Sequence, residues 1–295
     1  MAAEAGEWLE RRAIATPAGL AWPGDPAAPD PVAPDLYHGS AGVVLFLFDL
    51  GRATGEERWT ALARAGADEL LASLPASLSA PAEAGLFTGV AGIGLFLLWA
   101  GDALDRPAAR ELAAAAGRRL RELGEPTAGG ISWPMDPAVP TRWPNFAHGT
   151  AGVAFFLAAL FDATEELPFL AAARAAGGAL LASGLPAARP PGYWNNAGLC
   201  CGTAGVGEFL LDLHEKTGRA DALALARALG ADLLARAAVD ETGRRWPLAE
   251  HRVRPAEVAA QTGLMEGAAG IGRFLLRLDA LERGRERPRP VPGFR

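Results

Sequence analysis

Cysteine is nearly missing from this chain of 295 residues: there are two, Cys200 and Cys201. Being adjacent, they cannot staple a fold by closing a useful loop, which leaves thiol chemistry or packing as their meaning. An excess of positive charge is missing too. A net charge of -6 leaves no broad basic field to gather phosphates, so neither nucleic acid nor a membrane surface is expected as a partner. Long apolar runs are lacking. Stretches such as Val43 to Leu50 and Phe155 to Leu160 fall well short of the roughly 20 residues that span a bilayer. The N-terminus has neither the basic nor the apolar region of a secretory signal, so a cytoplasmic, reducing setting is expected. Finally, no G-x-x-x-x-G-K-(S/T), no G-x-G-x-x-G after a strand and no G-x-S-x-G is found, so nucleotide cofactors and serine hydrolysis have no support.

What the chain does contain is apolar residues, 50% of the total, and a repeat. The signature Gly-x-Ala-Gly-(Val/Ile), followed by an apolar run, begins at Gly39, Gly89, Gly149, Gly202 and Gly267. Each run is apolar almost all round, as in a helix buried on most sides. Between the runs lie stretches with apolar residues at three and four spacing, such as Trp59 to Leu71 and Ala222 to Leu234, which read as amphipathic outer helices. One such hairpin cannot bury its own apolar face, so the copies must pack on one another in a ring or short solenoid. The paired glycines of each signature suit positive φ or close backbone approach at helix starts. If those starts converge, they make a rim of partial positive charge. Proline and glycine concentrate in Ala21 to Pro34, Ala128 to Pro144 and Gly184 to Gly192, which read as loops.

The residue before the first glycine differs from copy to copy: His38, Thr88, His148, Cys201 and Glu266. On a ring these side chains would share one rim and could build one site. Cys200 and Cys201 are soft donors suited to zinc, although two ligands do not complete a site, and buried core thiols are the alternative. His148 could act as general acid or base, or simply cap a helix. His38 fits a structural or substrate-lining role better. His214 reads as solvated surface. His251, with Arg252 and Arg254 beside it, could grip an anion or be an ordinary charged loop. Trp133, Trp143, Phe146, Tyr193 and Trp194 could line a groove or fix long loops. A sugar-acting enzyme, the reading ranked last, would need two rim carboxylates near each other, such as Asp136 and Glu266.

The phrases Asn145-Phe-Ala-His-Gly-Thr-Ala-Gly, Gly192-Tyr-Trp-Asn-Asn-Ala-Gly-Leu-Cys-Cys-Gly-Thr-Ala-Gly and Gln261-Thr-Gly-Leu-Met-Glu-Gly-Ala-Ala-Gly-Ile-Gly resemble lanthionine synthetase C-like proteins, the actinobacterial ones in particular, over about residues 35 to 280. The resemblance implies an all-α fold, an α/α toroid of repeated helical hairpins, here with five recognisable repeats rather than about seven. It implies one toroid domain over residues 1–284, while composition alone reads the Pro- and Arg-rich tail over 285–295 as disordered. It also implies a zinc ion bound by Cys200 and Cys201 as the metal pair, and His148 as the catalytic histidine. The family repeat that supplies a third metal ligand has no counterpart. The implied activity is zinc-dependent thioether cyclisation, in which a cysteine thiolate adds to a dehydroamino acid of a dehydrated precursor peptide. The alternative is a catalytically inactive scaffold that binds a peptide or protein.

Overall fold

The computed structural model describes residues 2–27, 32–79, 83–136, 138, 140–188, 196–241, 243–248, 259–286 and 288. The chain folds as two compact units, Met1–Arg119 and Leu120–Arg295. The first holds α1 (Ala2–Arg12), strands β1 (Ile14–Ala15) and β2 (Leu20–Ala21), α2 (Ser40–Thr54), α3 (Glu57–Ser79), α4 (Val90–Ala103) and most of α5 (Pro107–Leu123). The second holds β3 (Glu125–Thr127), β4 (Gly130–Ser132), α6 (Thr150–Thr164), α7 (Leu167–Ala182), α8 (Thr203–Thr217), α9 (Ala220–Arg236), β5 (Ala238–Asp240), β6 (Gly243–Arg245), β7 (Pro247–Leu248), β8 (Ala259–Ala260) and α10 (Ala268–Glu282). Among the described residues, no helix is long and apolar enough to cross a membrane.

The five signatures start the five inner helices, α2, α4, α6, α8 and α10, and in each the first glycine is the N-cap. Helices α2 with α3, α6 with α7, and α8 with α9 pair as hairpins, and in the second unit α8 packs against both α6 and α10. The all-round apolar runs are buried as their pattern requires: Val153, Ala154, Phe156, Leu157 and Leu160 of α6 are fully enclosed. Each large aliphatic or aromatic side chain so buried contributes about 1.5–3 kcal/mol.

One backbone device sets every inner helix. The first helical N–H donates to the carbonyl seven residues back: Ser40 to Ala33 and Val90 to Glu83 (2.9 Å each), Thr150 to Trp143 (2.8 Å), Thr203 to Asn196 (3.3 Å) and Ala268 to Gln261 (2.9 Å). In four copies the next N–H repeats the pattern, as from Ala151 to Pro144 (3.2 Å). These arches consume donors that a helix start otherwise leaves unpaired. The expected rim of partial positive charge is therefore largely satisfied internally.

The same arches account for the paired glycines. Gly202 has φ of -130°, ordinary extended backbone, yet a Cβ there would lie 2.6 Å from the Asn196 oxygen and the Gly198 nitrogen. A Cβ on Gly205 would lie 2.0 Å from the Leu199 oxygen. Close approach, rather than positive φ, is what the signature needs. Positive φ is used at the other helix end, where Gly55 and Gly218 (φ 74° and 70°) close α2 and α8 by donating to the Gly51 and His214 carbonyls.

A second repeat escaped the reading of the sequence. Each of α1, α5 and α9 is followed by a short antiparallel hairpin, β1–β2, β3–β4 and β5–β6. Each hairpin is followed by a tryptophan that turns back to its helix. Trp22 Nε1 donates to the Leu9 carbonyl (2.8 Å), Trp133 to that of Leu120 (2.7 Å) and Trp246 to that of Leu233 (2.7 Å). All three rings are buried. Trp133 thus fixes a loop instead of lining a groove, and part of the Ala128 to Pro144 stretch is strand β4.

Gly205→Ala is expected to cost about 1–3 kcal/mol, since the Leu199 backbone must give way. Gly272→Ala in α10, where a Cβ meets nothing within 4 Å, should stabilise by about 0.5–1 kcal/mol. Chemical unfolding of both variants beside the parent protein checks the pair.

Candidate functional site

The second unit brings three signatures together by backbone hydrogen bonds. Ala147 N–H donates to the Cys200 carbonyl and Cys200 N–H donates to the Met265 carbonyl, both at 2.8 Å. These three residues hold the same register, two before the first glycine of their copies. The next residue in each is His148, Cys201 and Glu266, so the hydrogen-bonded row brings the backbone of those three copies together just before the variable positions. In the first unit a related bond runs from Leu36 N–H to the Phe87 carbonyl (3.2 Å), beside His38 and Thr88.

Local side chains stiffen the row. Asn145, buried, accepts the His148 N–H through Oδ1 (2.9 Å), and buried Asn196 accepts the Gly198 N–H in the same way (2.8 Å). Gly198 packs against the Glu266 backbone, where a Cβ would lie 2.9 Å from the Glu266 Cα. Behind Cys201 and Gly202, the buried Thr203 hydroxyl takes a hydrogen bond from Arg236 Nη2 (2.9 Å), and Arg236 is itself paired with Asp232. The last turn of α9 is so clamped to the first turn of α8.

Cys200 is buried and Cys201 half-buried, neither in a disulfide, with sulfurs 3.0 Å apart. Two adjacent sulfurs facing each other suit a soft ion such as zinc, which binds thiolates. Among the described residues, no group of three His, Cys, Asp or Glu side chains is assembled to hold a metal. His148 is half-buried, with its ring edge-on to Trp143 at 6.2 Å between centroids. His251, Tyr193 and Trp194 lie outside the described residues. Asp136 Oδ1 accepts the Ala138 N–H (2.6 Å), a turn role that occupies it. His214 is half-buried instead of solvated: it lies in the last turn of α8, with Nδ1 2.9 Å from the Arg219 carbonyl.

Below the rim lies a charge cluster that no spacing of residue types reveals. Glu208 of α8 and Arg277 of α10 are both buried and hydrogen-bonded, and Arg277 also reaches Glu215 (2.9 Å). Along α8, Asp212 meets Lys216 (3.4 Å), which also reaches Asp162 of α6 (2.5 Å). Burial raises the Glu208 pKa above the usual carboxylate range, although Arg277 and Arg273 oppose it. For Arg277, burial works against the charge, but Glu208 and Glu215 outweigh it and keep the guanidinium protonated.

The repeated inner and outer hairpins, with reactive residue types just before the inner-helix starts, define an all-α repeat fold whose candidate site is the helix-start rim. The family model for lanthionine synthetase C-like proteins matches residues 30–116 and 83–288, and the chain belongs to that family. Among solved structures, nisin cyclase shares the fold, with a TM-score of 0.55 and 17% identity, over 85% of this chain and 66% of that one. The fold class is accordingly the all-α toroid, and the chain spans 66% of the length of that relative. No curated protein matches the sequence.

Removing Arg277 is the sharpest test of the buried cluster. Arg277→Met should destabilise the protein by about 3–5 kcal/mol at pH 8, because it strands the Glu208 charge. Glu208 has a folded pKa above its unfolded value, so its contribution is fullest below the unfolded carboxylate pKa of about 4.3 and is lost as pH rises through the folded value. With Arg277 gone, the folded pKa rises further. The deficit of the variant should therefore shrink as the pH of the unfolding measurement is lowered from 8 to 5.

Proposed function

We propose that this protein closes thioether rings in a peptide, adding a substrate cysteine sulfur to a dehydroalanine or dehydrobutyrine of the same chain. The observation that supports the reading is the hydrogen-bonded row Ala147–Cys200–Met265, which joins the backbone just before His148, Cys201 and Glu266. The likeness of the fold to nisin cyclase agrees with it.

Zinc fits the chemistry of the donors, and Cys200 and Cys201 are the residues that would hold it, with further ligation from outside the pair. Bound there, zinc would supply the positive charge that lowers the pKa of a substrate thiol into the neutral range. The residues of the chain do the rest. His148 takes the proton from the substrate thiol; the sulfur lone pair then forms the bond to the β-carbon as the carbon–carbon π bond breaks. The same imidazole returns a proton to the α-carbon, so the addition is balanced and needs no other reactant. Trp143, edge-on to His148, limits the ring's freedom and keeps bulk water from one side of it. A peptide partner, a dehydrated precursor in particular, follows from this reading.

The test is metal content and ring formation measured together on wild type, Cys200→Ala and His148→Ala. About one zinc per chain that vanishes in Cys200→Ala is expected, along with ring closure in a dehydrated model peptide, assayed as loss of its free thiol. His148→Ala should keep the metal and slow the ring closure by about 10²–10⁴-fold. Zinc absent from metal-replete wild type, with no ring closure, would leave a scaffold that binds peptide without modifying it.

A further inference from the structure

The first unit contains a cavity of about 370 Å³ between α1, the segment after β2 and the start of α2. Its walls include Trp8, Arg12, Trp22, Tyr37, His38 and Phe46. Three features give it the character of a binding site.

The first is an oriented imidazole. Asp35 is only 3% exposed, and its Oδ1 accepts the N–H groups of Tyr37 (2.8 Å) and His38 (2.9 Å). Its Oδ2 lies 3.0 Å from His38 Nδ1. With Nδ1 engaged by a buried, fixed carboxylate, Nε2 is the ring nitrogen left for a ligand in the cavity that His38 lines.

The second is a cation. Arg12 pairs with no carboxylate of the described residues and lies over the Trp8 ring, 5.7 Å from its centroid. A guanidinium held against an aromatic face remains free to bind an anion with its donors. The third is the aromatic lining, two tryptophans, Tyr37 and Phe46, which suits a flat apolar group.

We infer that this cavity binds an aromatic group bearing a nearby carboxylate, as at the C-terminal end of a peptide finishing in an aromatic residue. The ring enters between the exposed Trp8 indole and Phe46, the carboxylate meets Arg12, and His38 Nε2 takes the second polar contact. The site lies wholly within the first unit and requires neither zinc nor cyclase activity, so it stands or falls apart from the reading above.

Calorimetric titration of the full chain with N-acetylphenylalanine and with its amide tests it. The acid should bind at least about tenfold tighter than the amide, as one charge-assisted contact implies. Arg12→Ala on the exposed face of α1 should abolish that preference, and His38→Ala should weaken both ligands. Val43→Trp, which fills the cavity from α2, should remove binding altogether, with circular dichroism confirming the helical fold. Cys200→Ala should bind the acid as the parent protein does. No binding at millimolar concentrations, equal affinity for acid and amide, or an Arg12→Ala variant that keeps the preference would overturn the inference.

Discussion

The structure depends on the seven-residue arch that precedes each inner helix. A helix start leaves donors unpaired, and burying it among other helices without partners would cost about 1–3 kcal/mol for each orphan group. Here the chain loops back so that its own carbonyls accept those N–H groups, at Ser40, Val90, Thr150, Thr203 and Ala268 alike. The loop fits only if nothing projects from the two glycines beneath it. Signature, helix start and rim are thus one object. The residue immediately before the first glycine is held by the arch yet not consumed by it, which leaves that position open to chemistry.

This constraint explains how a site can be assembled from residues far apart in sequence. The row joining Ala147, Cys200 and Met265 works because each arch presents its backbone at the same height, so one N–H and one carbonyl per copy meet the neighbouring copies. Spacing of roughly 50 to 65 residues between copies then costs nothing in precision, since register is set by backbone hydrogen bonds rather than by the lengths of outer helices and hairpins. The tryptophan staples serve the same end. By tying each hairpin to the helix before it, Trp22, Trp133 and Trp246 let the connecting segments vary without disturbing the helices.

Much of this was legible from residue types alone, because glycine pairs before apolar runs report a steric requirement that only close backbone approach explains. The five inner helices begin one residue after the first glycine of each copy, as the repeat implied. The tryptophan staples were less visible, although Trp-Pro occurs at residues 22, 133 and 246. Their meaning rests on a leucine carbonyl thirteen residues back, which no side-chain pattern marks. The Asp35–His38 pair could have been found from its i, i+3 spacing in a glycine-free turn. The Glu208–Arg277 pair could not: its members are 69 residues apart, on two helices whose faces align only once α8 and α10 pack.

That pair also shows what the rim asks of the helices beneath it. An arch fixes the start of a helix but not its rotation about its own axis, and rotation decides where the residue before the glycine points. Apolar packing alone tolerates small turns, because one leucine contact can replace another. A buried carboxylate and guanidinium tolerate none, since each must meet the other or stand uncompensated. Arg277 is held from two sides, by Glu208 and by Glu215 about two turns further along α8, so both the rotation and the height of α10 against α8 are specified. The register that brings Met265 to Cys200 at the rim is the same register that brings Arg277 to Glu208 below it. The first contact joins the arches before α8 and α10 and the second joins the helices themselves, and each restricts the freedom the other leaves.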